Sequence, residues 1–308
     1  MNVSQLSKKP KHLYNFTGLT PEEFDSLCEA VEQKASGVAL GDKVRQRAQG
    51  GGRKAHLSVE DQVLVSLMYY RLYVTQVLLG YMFELDDSNI SRSISRLRPL
   101  LQAVLPLPAQ ETLLLSEATK RKRISSLEEL LKKHPDLKEV LVDATEQEIQ
   151  KPRDKARRKG NYSGKKKRHT LKTQIASTAA GALLHITRAV PGRLSDINLL
   201  RGTGLLRDLP AGISLRVDKG YDGIQDDFPE RHFHQPYKAR RNKPIDFIQK
   251  CFNSLESGSR IPVEHALAHL KRFKLLAGIY RGPERSYDDI FLTIAGLHNF
   301  RKLGALAW

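Results

Sequence analysis

An α/β fold with a mixed sheet, preceded by an all-α region of helix-turn-helix type, is what this sequence predicts. Three observations lead there. Between residues 58 and 99 apolar residues recur at helical spacing in three close bursts. From residue 137 onward the pattern changes to short runs rich in β-branched residues, bounded by glycine, proline and polar turns. The order there is strand, hairpin, helix, strand, short strand and then helices, which is that of an α/β protein.

Taken in chain order, residues 1–56 hold one helix and a basic glycine-rich stretch. Thr20-Pro21-Glu22-Glu23 starts the helix: the hydroxyl caps, proline suits the first turn, and Glu23 completes a capping box. Phe24, Leu27 and Val31 form its apolar stripe. Gly50-Gly51-Gly52-Arg53-Lys54 reads in two ways. It is either a solvated linker or an arm whose backbone approaches DNA closely, with Arg53 and Lys54 on phosphates or in a minor groove.

Residues 57–101 form the trihelical module. Its first helix runs from Val59 to about Leu72, with Val63, Leu64, Leu67 and Met68 inward, and its second from Gln76 to Phe83. After Leu85-Asp86-Asp87, Ser88 caps a third helix through Leu97. Ile90, Ile94 and Leu97 face inward there, leaving Asn89, Ser91, Arg92, Ser93, Ser95, Arg96 and Arg98 outward. Arginines among short polar groups suit a helix that reads the major groove. Trihelical modules also serve as protein contacts, but DNA is the favoured partner.

Residues 102–136 read as a mostly helical connector and residues 137–308 as the α/β domain. Its strands are expected at 137–144, at 169–177 and 182–190 (a hairpin turned at Ala180-Gly181), at 213–217 and at 234–237. Ser195 caps a helix to Leu206, and the remainder is helical to about Leu303.

The 308 residues carry 51 basic and 34 acidic side chains, a net charge of +17. Self-repulsion of that size is relieved by a polyanion, so double-stranded DNA is expected as partner ahead of any membrane. Cys28 and Cys251 are the only cysteines, which excludes a disulfide framework and a zinc knuckle. The basic N-terminus lacks an apolar signal core, and residues 175–186 are too short to span a bilayer. A reducing compartment is expected, the bacterial cytoplasm, in association with the nucleoid.

Three acids stand out by position. Asp143 closes the run 137–142, Asp218 closes 213–217, and Glu264 opens a strongly patterned helix. Carboxylates on rigid elements grip hard divalent cations. Phosphodiester chemistry uses two such ions about 3.5–4 Å apart, which activate the attacking oxygen and neutralise the leaving one. Asp143 is the natural bridging ligand, with Asp218 and Glu264 completing the set. All-oxygen ligation favours two ions of Mg²⁺ or Mn²⁺. Arg260 and Lys271, on the helix of Glu264, would pin a nearby phosphate. His265 and His269 are four apart, but no glutamate follows the first as a zinc site of that spacing needs. Residues 151–168 are the densest cationic run, with Arg157, Arg158, Lys165, Lys166 and Lys167 and a single aromatic, Tyr162. Such runs are usually solvated faces; beside this site a flexible clamp on the DNA backbone is favoured.

Read together, Asp143-Ala144-Thr145-Glu146, Gly164-Lys165-Lys166-Lys167-Arg168-His169-Thr170-Leu171-Lys172, Pro191-Gly192 with Ser195-Asp196, Asp218-Lys219-Gly220-Tyr221, and Arg260 with Glu264 and Lys271 resemble one family. It is the bacterial DDE transposases of the insertion-sequence-five group, with harbinger-type endonucleases as more distant cousins. Residues 16–24, 50–54 and the trihelical segment also look like that group. The resemblance implies an RNase H-like catalytic domain, Mg²⁺ dependence, cleavage at inverted terminal repeats, and joining of the 3′-hydroxyl ends to target DNA, by a homodimer or higher oligomer. It makes Asp143, Asp218 and Glu264 the catalytic triad. It matches Arg260 and Lys271 to the arginine and lysine of a tyrosine–arginine–glutamate–lysine signature, whose tyrosine position falls on Ser257. The alternatives are a domesticated endonuclease without strand transfer, and a DNA-binding regulator on an inactive scaffold; the intact trio of acids argues against the latter.

Overall fold

The computed structural model describes residues 1–38, 56–111, 136–239, 241 and 244–304. Its organising element is a mixed sheet. The strands are β1 (Ala109–Glu111), β2 (Glu139–Glu148), β3 (Tyr162–Ser163), β4 (Arg168–Ser177), β5 (Leu183–Thr187), β6 (Val190–Pro191), β7 (Ser214–Arg216) and β8 (Phe233–His234). They lie in the order β1-β5-β4-β2-β7-β8, and β3 and β6 pair with β4. β2 and β5 run antiparallel to β4, whereas β1 with β5, β2 with β7, and β7 with β8 are parallel.

Alternation along β2 sends Val140 and Val142 to one face and Leu141 to the other. The first face is covered by Leu200, Leu205, Tyr221 and Ile224, which pack with Leu215 and Val217. The second is covered by the helices Ile261–Leu270 and Tyr287–Leu303, through Val263, Leu270, Ile290 and Ile294. Both faces being covered, β4 and β5 are buried at nearly every position, the polar Thr170, Thr173 and Gln174 of β4 included. The hairpin turns where predicted: Gly181 adopts φ +87° and its N–H donates to Thr178 O.

The N-terminal region comprises α1 (Val3–Leu6), α2 (Pro10–Thr17), α3 (Pro21–Val38), α4 (Val59–Leu72), α5 (Gln76–Phe83) and α6 (Asp87–Val104). The capping box at α3 is present: Thr20 N donates to Glu23 Oε2 at 2.8 Å, and Glu23 N to Thr20 Oγ1 at 3.3 Å. Leu27, Leu64, Leu67, Ile90 and Ile94 belong to the same hydrophobic core as Leu141 and Ile175. The helical region is therefore built onto the sheet domain rather than tethered to it.

Two expectations change here. Asp86, not Ser88, caps α6, because its carboxylate accepts from Ser88 N at 3.0 Å. The helix also continues to Val104 through the exposed Pro99, where solvent can reach the carbonyl of Ser95 that the missing N–H leaves free. The connector expected at 102–136 begins as the end of α6. Pro106 and Pro108 then stop the helix, and Ala109–Glu111 joins the sheet edge as β1; residues 112–135 lie outside the described residues.

The α5–α6 turn is closed by contact with the backbone of Gly80. Leu85 N donates to Gly80 O at 2.8 Å, and a Cβ at Gly80 would lie 2.4 Å from Leu85 O. Gly80→Ala must push the turn open, so urea unfolding should show a loss of about 1–3 kcal/mol. An unchanged midpoint would mean that the turn yields freely.

Candidate functional site

Asp143 lies in the middle of β2, not at its end. The strand runs on to Glu148 because residues 141–148 pair with β4, while parallel β7 pairs only with Glu139, Val140 and Leu141. What ends beside Asp143 is thus the neighbouring strand. The acid emerges where β7 has left the sheet, next to the Asp218 that follows it. By alternation Asp143 shares a face with Leu141, beneath the helix Ile261–Leu270.

The Asp143 carboxylate is largely enclosed, with 20% of its side chain exposed. Oδ1 accepts from Ala144 N at 2.7 Å, and Oδ2 lies 3.4 Å from Arg260 Nη2. Desolvation pushes its pKa up to about 6, against the pull of Arg260 and of the Ala144 N–H; Asp218 and Asp196 push it further up. Asp218 Oδ1 accepts from Gly220 N at 2.7 Å, which fixes the turn Lys219–Tyr221. A Cβ on Gly220 would sit 2.8 Å from Asp218 Oδ1 and 3.4 Å from Asp196 Oδ2. Glycine is what lets these two carboxylates close on one turn.

Asp196 is the acid to which sequence reasoning gave no function. Capped by Ser195 at the start of the helix Asp196–Gly202, it is held by buried Lys172, whose Nζ is 2.7 Å from Asp196 Oδ1 and 3.7 Å from Glu146 Oε1. Lys172 sits among polar residues of β4, so its burial, and with it the need for acidic partners, shows only in the fold.

Glu264 is set apart. It lies in the first turn of the helix Ile261–Leu270 with 53% of its side chain exposed. Arg260 occupies the break between this helix and Phe247–Ser259, where Pro262 prevents one continuous rod. From there its guanidinium reaches Asp143 at 3.4 Å and Glu264 at 4.0 Å. The break is anchored: Glu256, on the first of these helices, is buried and pairs with Arg216, which also binds Glu139 at 2.7 Å.

The donor set suits a hard divalent cation in atom type and charge, since Asp143 and Asp218 are all-oxygen donors that repel one another. Yet among the described residues no three His, Cys, Asp or Glu side chains converge on one metal position. Arg260 reaches both Asp143 and Glu264, the two acids that the expected cluster would bring together.

The predicted DNA-contacting cations divide. Arg92 and Arg96 are exposed on α6, and Arg92 Nη2 donates to Ser88 Oγ at 2.9 Å. Arg98 is turned inward, with 16% of its side chain exposed and 4.0 Å from Asp289; Ser93 Oγ is buried as well. The extended α6 packs this face against the C-terminal helix. Arg53 and Lys54 lie outside the described residues.

Residues 155–163 of the cationic run form a helix and a short strand where a loop was expected. Asp154 caps the helix Lys155–Asn161, and β3 then pairs with β4. Lys167 takes φ +57° to close the turn, its N–H donating to Ser163 O. Lys165, Lys166 and Lys167 stand exposed at the hairpin tip. Arg157 pairs with Glu284 at 2.5 Å, and Arg158 donates to Pro152 O and Arg153 O. Lys271 ends the Glu264 helix. Desolvation of its ammonium and then Lys166 lower its pKa, while Asp143 and Glu146 oppose them. That pattern places the hairpin tip beside the acids.

The raised pKa of Asp143 fixes the sign of a stability effect. Between its ordinary 3.8 and about 6 the folded chain binds the proton more tightly than the unfolded chain, so stability falls as pH rises through that window. Asp143→Asn keeps the shape without the charge. In metal-free buffer it should unfold roughly 2–3 kcal/mol later than wild type at pH 7, with the difference vanishing near pH 4. A variant less stable at both pH values would mean that the pair with Arg260 outweighs desolvation.

No helix among the described residues is long and apolar enough to cross a membrane. Residues 55–107 match the family described as the helix-turn-helix of DDE superfamily endonucleases, which spans α4 to α6. Among curated proteins, the chain is 29% identical over 249 residues to "Probable transposase for insertion sequence element IS702" of Microchaete diplosiphon, covering 81% of this chain and 83% of the relative. A Streptomyces albus G protein with a similar assignment, transposase for insertion sequence element IS112, is 24% identical over 97% of this chain and 98% of its own length. No solved structure matches significantly. Residues 142–299, just over half of the chain and holding all three predicted acids, match the family described as DDE superfamily endonuclease, and the chain belongs to that superfamily.

Proposed function

We propose that this protein is a DNA transposase of the insertion-sequence-five group. It cleaves at inverted terminal repeats and joins the 3′-hydroxyl ends to target DNA, on an RNase H-like domain. The observation that carries the reading is the desolvated Asp143, crowded by Asp218 and Asp196 and flanked by Arg260 and Lys271. Carboxylates crowded in this way are suited to divalent cations, and the cations flanking them to a phosphate.

Members of this superfamily generally use divalent metals. Asp143, Asp218 and Glu264 would hold Mg²⁺ or Mn²⁺, which when bound supplies an activated nucleophile and a neutralised leaving oxygen. The chain's own cations do the positioning. Arg260 offers its guanidinium to the phosphate next to the scissile bond, and Lys271 with Lys165, Lys166 and Lys167 grips the backbone on the hairpin side. Arg92 and Arg96 on α6 read base edges of the terminal repeat, with Arg53 and Lys54 on the adjoining backbone. Two active sites, hence at least a dimer, serve the two ends.

Incubation with the flanking genomic DNA and Mg²⁺, followed by mapping of the cut ends, tests the activity. Asp143→Ala, Asp218→Ala and Glu264→Ala should each cut at least roughly 100-fold more slowly with DNA affinity largely kept, since affinity comes mainly from cations on phosphate. Wild-type rates in any one of them remove that residue from the site. Cut ends without joined products would favour an endonuclease that lacks strand transfer.

The hairpin makes a separate prediction. Changing Lys165, Lys166 and Lys167 together to alanine should flatten log affinity against log salt by about 0.9 for each phosphate lost. The preferred sequence should stay the same, because phosphate contacts position the duplex without reading it. An unaltered slope would assign the grip to Lys271 and Arg260 instead.

A further inference from the structure

Beside the lysine tip lies a groove of about 660 Å³ lined by Lys155, Arg158, Lys159, Tyr162, His169 and Arg193. That volume is in the range of about 300–1,000 Å³ typical of small-ligand pockets. Its construction is specific. In β3 the neighbours of Tyr162, Asn161 and Ser163, are buried, so alternation throws the tyrosine outward, and it remains 43% exposed. His169, its cross-strand partner, packs edge-on against it at 5.6 Å and 83°, which fixes the ring plane and leaves a face to the groove. Arg193 N donates to Gly160 O and ties the far wall to the helix Lys155–Asn161. Arg158 is engaged with the carbonyls of Pro152 and Arg153, whereas Lys155, Lys159 and Arg193 have no carboxylate within pairing distance among the described residues.

An oriented aromatic face ringed by three uncompensated cations matches a nucleotide: a flat π-surface joined to a phosphate. Bases inside a duplex present no face to such a pocket, so the nucleotide must be unpaired. We propose that this groove holds one unpaired nucleotide of the DNA substrate, its base stacked on Tyr162 and its flanking phosphates on Lys155, Lys159 and Arg193. The proposal rests on the reading of the chain as a DNA-acting enzyme and adds a contact to the base itself near the active site.

The test compares three DNAs by fluorescence anisotropy: a fully paired duplex, the same duplex with one bulged thymidine, and that duplex with an abasic residue in the bulge. The full-length protein should prefer the bulged base to the abasic bulge by about 10-fold, the size of one base–aromatic stack. Tyr162→Ala should erase that preference and Tyr162→Phe keep it, while alanine at Lys155, Lys159 and Arg193 weakens both bulged duplexes alike. Tyr162→Trp gives a readout that does not depend on the alanine variant folding, since its emission should be quenched by the bulged base and not by the abasic bulge. Paired-duplex binding with no preference for the bulged base, or a preference that survives Tyr162→Ala, overturns the proposal and leaves the DNA-binding reading intact. Failure to bind even the paired duplex at low salt overturns both. Tighter binding of free thymidine monophosphate than of the bulged duplex would make the groove a site for free nucleotides instead.

Discussion

A carboxylate enclosed in a sheet with a single guanidinium for company is the constraint around which this molecule is arranged. Asp143 needs β4 on one side to hold it and the early end of β7 on the other to leave it an opening. The cation that it pairs with among the described residues, Arg260, comes from a break between two helices more than a hundred residues further along the chain. That break is held in turn by the buried link from Glu256 through Arg216 to Glu139, which ties helix, β7 and β2 together. Removing one partner from such a buried pair typically costs about 3–5 kcal/mol, because the other charge is stranded. The geometry of the acids therefore depends on a second ion-pair system that lies away from them.

The distribution of charge follows the same logic. Among the described residues, cations stand outward on the hairpin tip and on the exposed face of α6, while Asp143, Asp196 and Asp218 gather at the mouth of the sheet. Lysine and arginine at the rim draw a polyanion toward a centre that would repel it. Arg260 belongs to both sets. It offsets part of the repulsion that Asp218 and Asp196 exert on Asp143, and from the same place it reaches toward Glu264.

Much of this was legible in the sequence, and the parts that were not share a cause. α4 and α5 have the predicted bounds because caps, spacing and turn residues are all local. The hairpin turn at Gly181 and the capping box of Thr20 with Glu23 are local too. Asp143 was placed at a strand end because the apolar run stops at Val142, but the strand continues: pairing with β4 pulls the polar residues 145–148 into the ladder. Arg98 was read as outward by its sequence neighbours and is inward because α6 runs on and packs against the C-terminal helix. The cationic run 151–168 reads as a loop from composition alone, whereas Asp154 caps a helix there and Lys167 supplies the left-handed turn.

Asp196 shows the limit most clearly. Nothing in its local pattern distinguishes it from any acid in the first turn of a helix. It becomes special only because Lys172, 24 residues earlier, is buried at its side and because Gly220 leaves room for Asp218 beside it. Neither fact can be read from the residues around Asp196, and the first is a question of desolvated charge. A lysine ammonium enclosed by β4 must be matched, and Glu146 and Asp196 both approach it. Asp196 is thereby neutralised on one side while its field still reaches Asp143 on the other. This bridging position makes the Lys172 pair the means by which the structure can crowd three acids together without unfolding. Asp143 in turn leans on Arg260, so Asp196 and Asp143 each have their own cation, and desolvation together with the repulsion left over raises the pKa of Asp143.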